Sequence, residues 1–150
     1  MLKPSRLPPR SPRWQGLTRL AQRLARRRRA HDVEDLLHVA RQSFVQLQAA
    51  WDRADLLVLG SLTTEPLLEE LRSQLAERGP SPNHTEVLSL DARLLGVEEL
   101  REAFVASVEF SGLIRERFDA GAAPFRELWL LANVKDTGRG WQLARVQSLS

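Results

Sequence analysis

The side chains of this chain with chemistry to offer are three histidines, a cluster of arginines and a scattered set of aromatic residues. The histidines are His31, His38 and His84. His38 follows Glu34 by four residues, so the two share a face of a helix. A metal site needs three or more converging ligands, so this pair reads as part of a solvated helix face. His84 stands between Asn83 and Thr85, where the first strand is expected to open. Acid–base work by His84 needs a carboxylate facing it in a hollow. Asp91 and Glu109 alternate with apolar residues and read as outward-facing, and no acid falls at an inward strand position with an evident partner. The chain has no cysteine, hence no thiolate nucleophile, disulfide or cysteine-based zinc site. Its glycines sit at element ends rather than in a phosphate-cradling loop. Gly112 is the exception, within a strand, where a bulge is expected. Asn83-His84-Thr85 matches a glycosylation acceptor, a chance match without a signal segment. No catalytic residue, metal or cofactor is expected.

The charge is unevenly spread. The 150 residues carry a net charge of +3. Residues 1–30 contain Lys3 and nine arginines but no acid, and the first acid is Asp32. A strongly basic arm therefore precedes an acidic body, which points to an anionic partner for the arm. Four prolines keep the first dozen residues extended. From there Trp14, Leu17, Ala21 and Leu24 recur at helical spacing, with Arg19, Arg23 and Arg26 off that stripe. This is the pattern of a basic amphipathic helix that lies in a headgroup layer. Trp14, Arg19, Arg23, Arg26, Arg27, Arg28 and Arg29 are the candidate residues for a membrane or other anionic surface. The same segment also fits a solvated tail, a nucleic-acid or ribosome contact through phosphate neutralisation, or a mitochondrial targeting segment. No stretch approaches the ~18 apolar residues of a spanning helix.

The elements that must position these groups follow from periodicity. The expected organisation is an arm over residues 1–31 and a domain over 32–150. Asp32 is a candidate N-cap, with Asp35 standing in for a capping-box glutamate. Leu36, Leu37, Ala40, Phe44, Leu47 and Trp51 make the apolar face of the helix that follows. A break at 52–55 is followed by a short turn over 56–59, ending at Gly60. Thr63 or Thr64 then caps a third helix with Pro66 in its first turn, an inner stripe of Leu67, Leu68, Leu71 and Leu75, and a stop at Gly79. After Pro82 the period becomes two. Leu88, Leu90, Ala92 and Leu94 form one strand face, and Phe104, Ala106, Val108 and Phe110 form the next. Phe125, Trp129 and Leu131 share a third face, and Trp141 and Leu143 open a last strand behind a turn at 136–140. Helices followed by strands at hairpin spacing predict an α+β fold, with N-terminal helices on one face of a four-stranded antiparallel, curved sheet.

At this point the residues carry a resemblance. The run Ala40-Arg41-Gln42-Ser43-Phe44-Val45-Gln46-Leu47-Gln48-Ala49-Ala50-Trp51-Asp52 resembles the first helix of the Tim-44-like domain. Leu62-Thr63-Thr64 leading into Leu68-Glu69-Glu70-Leu71 is similar to the start of its second. Glu127-Leu128-Trp129-Leu130 and Gly140-Trp141-Gln142-Leu143-Ala144 resemble its strands. The likeness covers roughly residues 35–147 and rests on packing motifs. It implies a cone like that of nuclear transport factor 2 or the cystatins, with a large hydrophobic pocket, in a peripheral membrane protein. Phe44, Leu47, Trp51, Leu71, Phe104, Phe110 and Trp129 are the candidates to line such a pocket for lipid or peptide, and they serve equally well as ordinary core.

The expectation is thus a non-enzymatic binding module, with an anionic membrane surface and a protein as partners. Binding to nucleic acid or the ribosome through the arm is one alternative. A small enzyme of the cone-shaped fold acting on an apolar ligand is another. The Ala-, Leu- and Arg-rich composition with two lysines suggests a GC-rich bacterial genome. The expected place is then the inner (cytoplasmic) membrane surface or the cytoplasm, or the matrix side of a mitochondrion if the source is eukaryotic.

Overall fold

The computed structural model describes residues 19–80, 83–117 and 121–149, with side chains from Asp32 onwards. Helix α1 spans Arg19–Arg53 as one continuous helix of 35 residues. The expected helix start at Asp32 is therefore corrected. No proline or glycine lies between Arg19 and Arg53, so nothing interrupts the i→i−4 ladder, and an aspartate is tolerated inside a helix that its neighbours favour. The helix ends where expected, with Ala54 at φ 55°. Helix α2 covers Leu56–Leu62, opened by the Asp55 carboxylate accepting from the Val58 N–H. It runs through Gly60 rather than stopping there. Its end comes at extended Thr63, which forms a parallel bridge with Leu143. Helix α3 covers Glu65–Arg78 behind Thr64, with Pro66 in its first turn, and stops at Gly79 with φ 79°, a left-handed position that favours glycine.

Four strands follow: β1 (Glu86–Glu99), β2 (Ala103–Arg115), β3 (Ala123–Val134) and β4 (Trp141–Ser148). They form one antiparallel sheet in the order β1-β2-β3-β4. The α+β architecture of helices on an antiparallel sheet is the expected one. The buried residues Leu36, Ala40, Phe44, Leu47 and Ala50 of α1 pack with Leu59 and Leu67 against Ala106, Val108, Phe110, Trp129, Leu131 and Leu143 of the sheet. A buried aromatic cluster sits at the centre. Phe44 lies 4.9 Å from Phe110 and 5.1 Å from Trp129, ring centre to ring centre.

Two readings of the strands change. Val87 faces Ile114 and Ser89 faces Leu113, which leaves Leu88 as the extra residue of a β-bulge. The bulge shifts the alternation by one, so Leu88 drops off the face expected for it and is 40% exposed. Gly112 carries no bulge in its own strand, being in register with both Leu90 and Phe125. A Cβ there would meet the Ser89 carbonyl oxygen at 2.1 Å. Gly112 is thus the residue that lets the bulged neighbour press close.

Candidate functional site

Two clefts flank the aromatic cluster, each built on a different stretch of α1. The first lies at the Asp32–Val39 stretch. Val33, Leu36 and Val39 of α1 face Leu94 and Val97 of β1, Phe104 of β2 and Trp141 of β4, enclosing about 550 Å³, with Asp32 and Asp35 also on its wall. Its lips are greasy: Val97 is 50% and Val39 37% exposed. The second, of about 410 Å³, lies at the Leu47–Trp51 stretch. Leu47, Gln48 and Trp51 of α1, Leu59 of α2, Leu71 of α3 and Trp129 of β3 contribute to its wall, and Glu127, Ala144, Arg145 and Val146 border it.

The seven residues expected to line one pocket are thus divided. Leu47, Trp51, Leu71 and Trp129 border the second cleft and Phe104 the first. Phe44 and Phe110 border neither and fill the core between helix and sheet. Of the basic arm, Trp14 lies outside the described residues. Arg19, Arg23, Arg26, Arg27, Arg28 and Arg29 belong to α1 by their backbone, with side chains outside the described residues.

Two polar residues of the second cleft escaped the sequence reading. Glu127 shares the β3 face of Trp129, and its Oε2 accepts the Trp129 indole N–H at 2.9 Å. An acid thus sits at an inward strand position, engaged by an indole and not by a histidine. Strict alternation through Phe125, Glu127, Trp129 and Leu131 carried that signal. Arg145 is buried, at 7% exposure. An arginine near the end of an edge strand reads as a solvated residue, and the bulge at Ala144, which shifts the β3–β4 register, is not visible in the sequence.

Struts around the second cleft hold its walls. The Asp52 carboxylate accepts from the Thr85 N–H at 2.6 Å and the Thr85 hydroxyl at 3.0 Å, tying the end of α1 to the approach to β1. Arg78 donates to the Trp51 carbonyl at 2.6 Å and lies over the Trp51 ring, closing α3 on α1. The Thr64 N–H donates to the Leu143 carbonyl and Gln142 Nε2 to the Thr63 carbonyl, fixing the α2–α3 corner on β4.

On the outer sheet face Glu109 bridges Arg126 at 2.7 Å and Arg93 at 2.9 Å. Hydrogen bonds from Arg126 and then Arg93 hold its carboxyl below the ordinary glutamate range. Glu109 faces outward, as its position in the alternation predicted. His84 and His38 are exposed and border neither cleft. Among the described residues no three His, Cys, Asp or Glu side chains gather as a metal site, and no helix is long and apolar enough to cross a membrane.

The sequence matches the Tim44-like domain over residues 18–148. No curated protein matches it. Among solved structures, the intermembrane space region of chloroplast protein ARC6 superposes with a TM-score of 0.51 at 13% identity, over 76% of this chain and 96% of that one. A nuclear transport factor 2-like superfamily protein from Salmonella enterica serovar Typhimurium gives 0.44 at 10% identity, over 77% and 91%. A ketosteroid isomerase-like protein from Erwinia carotovora atroseptica gives 0.43 at 16% identity, over 76% and 96%.

Proposed function

This chain belongs to the Tim44-like domain family, whose members associate with membranes and protein partners, and on that premise we propose that it is a non-enzymatic module that docks on an anionic membrane surface and holds a hydrophobic chain or peptide. One observation supports the reading above others. The helix that carries Arg26–Arg29 continues unbroken into Val33, Leu36 and Val39 of the first cleft. Four residues of helix rise about 6 Å, so a bilayer that engages the arginines lies within a side chain's reach of an open apolar cleft. Exposed apolar lips beside a basic segment are what a peripheral membrane contact uses. The cleft has the volume of a ligand site, and neither His38 nor His84 borders it.

Flotation with phosphatidylglycerol-rich vesicles at low salt tests the proposal. Each arginine at an anionic surface contributes about 1 kcal/mol. Replacing Arg26, Arg27, Arg28 and Arg29 together by serine should therefore weaken binding by roughly a thousandfold. Raising the salt should weaken the parent in the same direction. A parent protein that stays with the unbound fraction at low salt overturns the reading. RNA binding with a steep salt dependence in its place would assign the arm to nucleic acid.

A further inference from the structure

The first cleft combines two surfaces that together define an occupant. Phe104 and Trp141 belong to its apolar lining, and Asp32 and Asp35 stand on its wall. Both aspartates are exposed, and so is Val97 at the lip. Grooves lined by aromatic side chains suit extended proline-rich segments, which lose little conformational freedom on docking. Carboxylates beside the groove favour a cationic occupant and disfavour an anionic one within it. The fitting occupant is therefore extended, proline-bearing and basic.

The chain itself carries such a stretch, outside the described residues: Arg6-Leu7-Pro8-Pro9-Arg10, with Lys3, Pro4, Pro12 and Arg13 around it and no acid before Asp32. Its distance from the cleft is suitable. The cleft residues Asp32 to Val39 lie about 20–30 Å along α1 from Arg19. The residues that separate Arg6 and Arg10 from Arg19 span up to about 30–45 Å when extended. The segment can thus double back beside the helix and reach the groove. Tethering in one chain gives it an effective concentration of about a millimolar, so modest contacts suffice. We propose that Arg6–Arg10 of the chain's own arm lies in the first cleft, with Leu7, Pro8 and Pro9 against Phe104 and Trp141 and the two arginines toward Asp32 and Asp35. The proposal rests on the reading of this cleft as a peptide site and not on the membrane contact.

The test is disulfide formation in the full chain without lipid. The chain has no cysteine, so an introduced pair reacts unambiguously. Ser5→Cys, beside the docked stretch, is combined with Val97→Cys at the cleft lip, or with His38→Cys, which is exposed on α1 and borders neither cleft. In dilute protein with oxidised glutathione, the 5–97 pair should close within one chain at least about tenfold faster than the 5–38 pair. Asp32→Asn with Asp35→Asn should slow the 5–97 closure by roughly twofold to tenfold and leave 5–38 unchanged. Added salt should act in the same direction. Equal rates for the two pairs, or a 5–97 closure indifferent to both the asparagine exchange and salt, overturns the proposal. Disulfides that join two chains instead also overturn it, since they assign the cleft to the arm of a second copy. Vesicle flotation is a separate outcome: its failure beside a rapid 5–97 closure overturns the membrane contact alone.

Discussion

At the scale of the residue, Asp52 and Glu109 show carboxylates doing opposite kinds of work. Asp52 is half-buried and answers two donors of Thr85 across the helix–sheet seam. Alanine there strands a half-buried N–H and hydroxyl, and hydrogen bonds to a charged group are worth about 1.5–3 kcal/mol. We expect Asp52→Ala to lower unfolding stability by that amount, read as a shift of the urea midpoint, with Asp52→Asn between it and the parent. Glu109 lies on the outer sheet face and is held below the ordinary glutamate pKa by Arg126 and Arg93. A carboxyl depressed in the folded state binds its proton more readily when unfolded. Its contribution is therefore present above the ordinary glutamate pKa and lost as pH falls through the depressed one. Melting curves along an acid series should show a steeper decline for the parent than for Glu109→Gln. Parallel declines would mean that the two arginines give Glu109 no folding-linked preference for its charged form.

At the scale of the element, the outcome divides by whether a signal is local. The apolar face of α1 from Leu36 to Trp51, the break after it, Thr64–Pro66 and the Asp136–Gly140 turn are local patterns with local causes, and all stood in the sequence. The strand residues Ala106, Val108 and Phe110 were equally legible, because β2 has neighbours on both sides and alternates without interruption. The bulges at Leu88 and Ala144 were not, because a bulge is a relation between two strands and leaves no mark in either alone. The continuity of α1 was misread because Asp32 follows an abrupt change of charge, and a change of charge is no helix break. The candidate site was less legible than the fold. Glu127 stands out through its indole partner and Arg145 through its burial, properties that residue type alone cannot convey. Gly112 makes the pairwise nature of the β1 bulge testable. A Gly112→Ala Cβ would meet the Ser89 carbonyl at 2.1 Å, and backbone offers no soft side chain to yield. Overpacking of this kind costs about 1–3 kcal/mol. The substitution should therefore destabilise, although alanine is the better residue for most strands. A neutral or stabilising result in chemical denaturation would mean that the bulge does not press on Gly112.

At the scale of the whole molecule, the aromatic cluster of Phe44, Phe110 and Trp129 sits between two clefts that differ in character. One is open, apolar and close to the basic segment; the other is smaller in volume, bordered by Glu127 and Arg145, and braced by Asp52 and Arg78. The proposed membrane contact therefore has a direction. The chain lacks cysteine, so single cysteines placed for an environment-sensitive dye are unambiguous. A dye at Val97→Cys should shift to the blue on phosphatidylglycerol vesicles, and one at Gln74→Cys should not. Equal shifts at both positions would contradict the orientation. The long first helix gives that orientation a mechanical meaning. Its 35 residues form a shaft of about 52 Å, without a swivel between the end that carries the arginines and the end that packs on Thr85 and Arg78. Under the proposed contact, any tilt that a bilayer imposed on Arg19–Arg29 would be inherited by the sheet, and the pose of Trp51, some 33 Å further along, would be set by how the other end lies down.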